Sequence, residues 1–376
     1  MDNEIKKVLL HLLLLQKIGP VTTDFLLSKL DKEELPALYG YTLQKLMDLG
    51  LSKKRAEFLV EGLASRQLLE EELFLLEKHN ISFITIFDDN YPPLLKQIHY
   101  PPVGLYVQGN IAVLHQEKSI AFVGARKAGV YGQKVVQQVA GPLAQQGFVL
   151  VSGGALGTDT FVHQVAVACK SPTVAVLGSG LLCWYPTSNK KLFSAILEAG
   201  GALASYFPLR MQALPGNFPA RNRLIAGLSR GTVVVQAAQQ SGALITANFA
   251  LEQGRSVFAV PGSIDDPLSA GCHELLRQGA CLVATPEDIL QELGYAVAEN
   301  DSSDLQLPLF EEQVIIEEAP IEDVEKMILW YAKKPITTDD LQRATGLCAD
   351  ELMEKLFMMS LEGKIAQDML GLWAIL

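Results

Sequence analysis

The chain has 376 residues, which predicts two or three domains, and its 49% hydrophobic content excludes a wholly disordered chain. Its longest early apolar run, at residues 8–15, is too short to cross a bilayer, and no leader-like segment is recognisable. The net charge of −11 hides a basic centre, because residues 111–290 hold 13 Lys/Arg and 9 Asp/Glu, a net of +4. We therefore expect a cytoplasmic protein with no membrane partner, whose centre tolerates nucleic acid.

The first predicted domain, residues 1–80, is helical. Apolar residues recur at helical spacing in two runs, at residues 9–13 and 26–30, with a Gly-Pro turn between them. A second turn follows at residues 48–52. The pattern resembles SAM-like or helix-hairpin-helix modules, which present backbone N–H groups to phosphate, but an ordinary helical hairpin fits equally well.

The second predicted domain, residues 81–298, alternates strands with helices. Five short apolar runs rich in β-branched residues are each followed by glycine and a helix-compatible segment. These runs lie at residues 119–123, 148–151, 173–177, 232–235 and 256–260. Such spacing predicts an α/β fold with an extended, Rossmann-like, doubly wound and mostly parallel sheet.

The C-terminal region divides into an acidic linker, residues 299–320, and a last domain, residues 321–376. That domain reads as three helices followed by two short strands, an order typical of a winged helix. Its third helix, predicted from Asp350 to Glu362, carries only Lys355 as a base and is poorly equipped to read a DNA groove. A role in protein interaction or packing is therefore at least as well supported.

Small and basic residues follow the first two strands of the central domain. The first strand leads into Gly124, Ala125, Arg126 and Lys127, and the second leads into residues 152–158, beginning Ser152-Gly153-Gly154. Ligands of open parallel sheets bind at this edge, where exposed N–H groups favour phosphate oxygens. An arginine inside the first turn favours a phosphate that needs a fixed, bidentate partner. We expect an anion-binding crevice here.

A dinucleotide cofactor is the obvious rival ligand for this crevice. However, G-x-G-x-x-G is absent after the first strand, and Ser152 stands where an acidic residue would hold a ribose. A Walker P-loop sequence is absent too. The five cysteines are scattered without a C-x-x-C pair, which argues against a disulfide framework or a metal site. We predict no cofactor.

Two arginines lie at the start of a helix that follows the segment at residues 217–219. Arg221 and Arg223 flank Asn222 and lie about 200° apart on this helix, so one is expected to reach phosphate while the other pairs with a carboxylate. Phe218, in a proline-flanked loop, offers a ring for base stacking, and a core position for it is equally compatible. Further on, another helix start contains Ser241, Gly242 and Thr246.

Several of these motifs, in this order, resemble the DprA/Smf family of DNA-processing proteins. The similar segments cover about half the chain and include residues 124–126, 152–154, 185–189, 217–228, 241–247 and 252–262. The resemblance implies sequence-tolerant binding and protection of single-stranded DNA, loading of RecA recombinase during natural transformation, homodimerisation, and no catalytic activity.

The resemblance also implies which residues contact DNA. Arg126 is expected to contact phosphate, Phe218 to stack on a base, and Arg221 and Arg223 to line or support the pocket. Lys190 and Lys191, after a Tyr-Pro motif, are further candidate phosphate contacts. The full predicted set is Gly124, Arg126, Lys127, Ser152, Gly153, Gly154, Lys190, Lys191, Phe218, Arg221, Asn222, Arg223, Ser241, Gly242 and Thr246.

The chain departs from the family pattern at three positions. Ala125 replaces a common serine, Gln236 replaces a common glutamate, and Pro215 stands where members often carry lysine. One phosphate contact is therefore missing, or it is supplied by Arg210 or Lys191.

Two other functions remain open. The first is a nucleotide-processing enzyme like the Rossmann-fold phosphoribohydrolases, which would use Asp159. We expect Asp159 instead to form a structural hydrogen bond with His163, four residues on. The second is a small-ligand sensor whose winged helix binds duplex DNA.

Overall fold

A computed structural model describes residues 2–15, 17–296, 324–332, 336–362, 364–367 and 373–375. It contains two compact units, Met1–Leu307 and Pro308–Leu376. The predicted acidic linker, residues 299–320, lies outside the described residues. No helix in the described ranges combines the length and apolar character needed to cross a membrane.

The N-terminal segment is helical, as the periodicity predicts. Its helices are α1 (Asp2–Leu14), α2 (Pro20–Lys29), α3 (Leu43–Asp48), α4 (Lys53–Ala64) and α5 (Gln67–Lys78), with a 3₁₀ segment at Lys32–Gly40. Pro20 opens α2, where its missing N–H costs nothing, and the Thr42 hydroxyl caps α3 by accepting from the Lys45 amide. Leu9, Leu26 and Leu59 are fully buried between these helices.

Helix α5 joins this segment to the rest of the first unit. Its Leu69 packs in one apolar cluster with Phe83 and Tyr106. The buried Glu72 carboxylate accepts a 2.7 Å hydrogen bond from the Leu209 amide. Burial raises the pKa of Glu72, and that hydrogen bond opposes the rise.

A nine-stranded sheet forms the centre of the described residues. Its strands are β1 (Ser82–Thr85), β2 (Gly104–Gly109), β3 (Ser119–Val123), β4 (Val149–Ser152), β5 (Thr173–Val176), β6 (Ala202–Ser205), β7 (Gly231–Val234), β8 (Ser256–Ala259) and β9 (Cys281–Leu282). Their order is β1-β2-β6-β5-β4-β3-β7-β8-β9. The seven strands from β6 to β9 are parallel, and β1 and β2 add an antiparallel edge. The Rossmann-like α/β prediction is confirmed.

Helices cover both faces of this sheet. They are α6 (Pro93–Lys96), α7 (Val130–Val135), α8 (Gly141–Gln145), α9 (Thr158–Ala168), α10 (Lys190–Glu198), α11 (Asn217–Gly227), α12 (Gly242–Glu252), α13 (Ala270–Arg277) and α14 (Pro286–Glu292). A π turn, Val136–Ala140, joins α7 to α8, and 3₁₀ turns lie at Ile111–His115 and Thr187–Asn189. Alternate residues of β3 enter opposite cores: Ala121 faces the cluster with α11 and α12, and Phe122 faces the cluster with α7 to α9.

The strand order reverses next to β3, which positions the functional site. From β3 the chain proceeds outward through β4, β5 and β6, and then returns to place β7 on the other side of β3. The turns after β3 and β7 therefore diverge and leave a crevice at the carboxyl edge of the sheet. Open α/β sheets bind ligands at such a switch point.

The second unit contains α15 (Val324–Tyr331), α16 (Thr338–Thr345), α17 (Ala349–Leu361) and the antiparallel strands β10 (Ile365–Gln367) and β11 (Trp373–Ile375). Ile328, Leu341, Leu356 and Trp373 are buried in its own core. The helix–helix–helix–strand–strand order agrees with the sequence pattern. Its assignment as a winged helix stays a prediction, and so do the proposed domain boundaries.

Candidate functional site

A cavity of about 710 Å³ occupies the crevice at the carboxyl edge of the sheet. Gly124 and Arg126 reach it from the turn after β3, and Asp159 reaches it from the first turn of α9. Helices α11 and α12 and the loop before α11 supply the other walls. The predicted residues that line it are Gly124, Arg126, Phe218, Arg221, Asn222, Ser241, Gly242 and Thr246. The crevice thus brings together about half of the predicted set.

Phe218 and Arg126 lie next to each other in the wall of this cavity. The Phe218 ring is partly buried, with its centroid 5.2 Å from Cζ of Arg126 and 5.8 Å from Cζ of Arg221. A Cβ atom at Gly178 would lie 3.0 Å from Cδ1 of Phe218, so this glycine lets the ring approach the backbone after β5. Phe218 is therefore a cavity wall rather than a core residue.

Arg126 is exposed and has no hydrogen bond or ion pair to any residue that the structure describes. Its guanidinium remains available to an anion entering the cavity. Lys127 is also exposed but does not line the cavity.

Arg221 is only 4% exposed and braces the floor of the site. Its Nη1 donates to the carbonyls of Gly153 and Val176, at 2.6 Å for Val176, and its Nε donates to Asn222 Oδ1. Burial lowers the pKa of Arg221 to about 10, although Asp159 opposes that shift, so the group stays charged at neutral pH.

The turn after β4 is occupied by a carboxylate of the protein itself. Oδ2 of Asp159 accepts from the amides of Gly153 at 3.1 Å and Ala155 at 3.2 Å. A Cβ atom at Gly153 would overlap both Arg221 Nη1 and Asp159 Oδ2, so the turn requires glycine. Burial raises the pKa of Asp159, and the Arg221 charge and these amides oppose the rise. The Gly153 amide, predicted as a phosphate donor, is thus already bonded.

The predicted hydrogen bond between Asp159 and His163 is wrong. Nδ1 of His163 lies 3.0 Å from Oγ1 of Thr173, whose own proton goes to the Leu150 carbonyl. His163 therefore donates from Nδ1. The spacing of four residues places both side chains on one side of α9, but Asp159 turns to the loop amides while His163 packs against β5.

Neither Arg221 nor Arg223 forms the carboxylate ion pair expected of one of them with any residue that the structure describes, and the phosphate contact expected of the other stays a prediction. Arg223 is partly buried and donates from Nη1 to the carbonyls of His99 and Tyr100, at 2.9 Å and 2.7 Å. The two guanidinium groups diverge as their spacing predicts, but both bond to main-chain carbonyls. Arg223 does not line the crevice.

The remaining predicted residues have mainly structural contacts. Ser152 is fully buried and donates to the Phe122 carbonyl. Gly154 has φ of +68° and lies against Phe193. Ser241 caps α12 by accepting from the Ala243 amide, and Asn222 donates to the Gly242 carbonyl.

Residues outside the predicted set also contribute to the site. Tyr185 lines the crevice, 48% exposed, with its ring centroid 6.0 Å from that of Phe218. The Tyr-Pro pair at residues 185–186, after β5, is the sequence signal that could have identified Tyr185. Pro215, which stands where family members often carry lysine, lines the crevice as well. Arg210 and Lys191, the two candidate replacements for that lysine, do not. Gln236, which replaces a common glutamate, donates from Nε2 to Oδ2 of Asp266.

The central part of the chain is similar to known proteins. The model of the family described as DNA recombination-mediator protein A matches residues 82–294. Protein Smf of Escherichia coli K12 is 41% identical over 252 residues, 67% of each chain.

Two solved structures share the fold. That of DNA processing protein A from Streptococcus pneumoniae has a TM-score of 0.60 and 38% identity, covering 67% of this chain and 87% of its own. That of DNA processing protein A from Helicobacter pylori, described with a unique single-stranded DNA binding mode, has a TM-score of 0.52 and 29% identity, covering 57% of this chain and 97% of its own. The chain therefore belongs to the DprA/Smf family of DNA-processing proteins.

Proposed function

We propose that this chain binds single-stranded DNA in the crevice without strong sequence preference and protects it. One observation carries the proposal: Arg126, an exposed cation with no hydrogen bond or ion pair among the described residues, shares the cavity with the Phe218 ring. A guanidinium attracts the phosphates common to all sequences, and an aromatic face stacks on any base. The single-stranded DNA binding mode described for the Helicobacter pylori protein supports the same ligand.

The role is binding rather than catalysis. An enzyme of the phosphoribohydrolase kind would need a reactive carboxylate and a free phosphate-binding turn. In this chain Asp159 is 7% exposed and fills the turn after β4 with its own carboxylate. A nucleotide phosphate would have to displace that carboxylate from two amides.

Loading of RecA recombinase, natural transformation, homodimerisation and a cytoplasmic location complete the proposal. The resemblance implies the first three, and the family description as a recombination mediator supports a role in recombination. Light scattering of the purified chain tests the dimer. RecA assembly on single-stranded DNA, with and without the chain, tests the loading.

A titration of labelled single- and double-stranded oligonucleotides at two salt concentrations tests the DNA proposal. We expect preference for single strands. The logarithm of the binding constant, plotted against the logarithm of the salt concentration, should have a slope (the salt slope) of roughly −0.7 per phosphate neutralised. Tighter binding to duplex DNA would favour the sensor hypothesis. Release of free base from nucleoside monophosphates, dependent on Asp159, would favour the enzyme.

A further inference from the structure

A second cavity, of about 760 Å³, adjoins the crevice. Tyr185 and Ala213 line both cavities, so the two lie side by side with these residues between them. The other lining residues come from the position just after α5 (His79), from β2 (Gln108), from the segment between β5 and α10, from the first residue of α10 (Lys190) and from the loop before α11.

The chemistry of the second cavity suits an anionic aromatic ligand. None of the described residues that line it is acidic, and exposed Lys190 provides a cation. Trp184 is partly buried and is held edge-to-face against Phe193, with ring centroids 5.8 Å apart. An indole and a lysine on the wall of one cavity can supply the two contacts that single-strand sites use, stacking on a base and attraction of a phosphate.

Tyr185 borders both cavities. It lies at the boundary, nearly half exposed, with its ring 6.0 Å from the Phe218 ring on the side of the crevice. A strand stacked on Phe218 would therefore meet Tyr185 before Trp184. Both cavities lie within the 300–1,000 Å³ range of small-ligand sites, so each has room for a nucleotide unit.

We propose that the bound strand continues past Tyr185 into the second cavity, where Lys190 contacts a phosphate and Trp184 contacts a base. This inference rests on the proposed function. It assigns a role to the N-terminal helical segment, because His79, next to the end of α5, forms part of the cavity wall. The Glu72–Leu209 hydrogen bond holds α5 to the loop that leads to Gln212 and Ala213.

Removal of the Lys190 charge provides the first test. We expect Lys190→Gln to reduce the salt slope by about 0.7 on long oligo-dT, the value for one phosphate contact, and Lys190→Arg to keep the slope of the unmodified chain. The control is Lys170→Gln, which removes an exposed charge beyond the end of α9, at the opposite edge of the sheet. Over oligomers of about 4 to about 16 nucleotides, the effect of Lys190→Gln should grow with length until both cavities are filled.

Photocrosslinking with bromouracil-substituted oligo-dT provides the second test. Because Trp184 lines only the second cavity, a crosslink at Trp184, found by peptide mass spectrometry, is the expected result. Crosslinks at Phe218 without any at Trp184, together with equal slopes for Lys190→Gln and Lys170→Gln, would overturn the inference while sparing the proposed function. Failure of the unmodified chain to bind single strands would instead remove the proposed function itself.

Discussion

Arg221 donates from Nη1 to the main-chain carbonyl of Gly153, so a side chain of α11 fixes the turn that follows β4. The same atom donates to the carbonyl of Val176 at the end of β5. One guanidinium thus ties two strand ends to the helix that carries Phe218. Arg221 itself therefore has a structural role, whereas Arg126, which is exposed, lies on the turn after β3.

Arg221→Ala should therefore destabilise the protein. It removes the charge that faces Asp159 and leaves two buried carbonyls without their donor. We expect the free energy of unfolding to fall by about 3–5 kcal/mol, measured by urea unfolding followed by circular dichroism. Arg126→Ala, at an exposed site, should stay within about 0.5 kcal/mol of the unmodified protein. Equal stability of the two variants would contradict the bracing role.

Arg126→Ala should weaken DNA binding only by removing a contact to phosphate. We expect lower affinity for all sequences to a similar degree and a salt slope smaller by about 0.7, from fluorescence anisotropy titrations. Arg126→Lys is the matched comparison, since it keeps the charge but loses the bidentate fork, and should preserve the slope. An unchanged slope in Arg126→Ala would move the phosphate contact elsewhere.

Phe218→Ala should weaken DNA binding by removing the ring on which a base stacks. We expect a loss of about 1–3 kcal/mol of binding free energy with the salt slope unchanged, because no charge is removed. Phe218→Tyr keeps an aromatic face and serves as the control in the same titration. If Phe218→Ala and Phe218→Tyr bind equally well, the ring does not stack on a base.

Stability should depend on pH through His163. Burial lowers the pKa of His163 to about 3, whereas the unfolded chain takes up this proton near pH 6.5. The unfolded state therefore binds more protons between these values, so His163 makes the free energy of unfolding fall as pH falls, by up to about 1.4 kcal/mol per pH unit. Asp159, with its raised pKa, acts in the opposite direction as its folded form takes up a proton.

His163→Gln isolates the histidine contribution, because both proteins retain Asp159. Urea unfolding of each protein at several pH values between 7 and 4 checks it. The variant should lose less stability than the unmodified protein over that interval, whatever its stability at neutral pH. If the free energy of unfolding fell equally with pH in the two proteins, His163 would have the same pKa in the folded and unfolded states.

Local sequence patterns identified the fold class because burial on both faces leaves a clear signature. The strand predicted at residues 119–123 is β3, Ser119–Val123, and all five of its residues are buried. By contrast, β6 reads Ala-Leu-Ala-Ser without a β-branched residue, and β9 has only two residues. These strands exist because neighbouring strands pair with them, which a local pattern does not encode.

Residue types alone predicted a crevice at the carboxyl edge of the sheet, where the structure has a cavity lined by Gly124 and Arg126. The turns after parallel strands meet at that edge, and anion binding there stays a prediction. Which arginine stays free was decided by tertiary packing. Arg221 reaches Gly153 across 68 positions and Arg223 reaches His99 across 124, and these contacts bury or engage both guanidinium groups. Asp159 accepts from amides of its own loop, six and four residues away, rather than bonding to His163. Hydrogen-bond partners of buried groups are chosen by the folded backbone, which brings distant segments together in ways that spacing along the chain does not record.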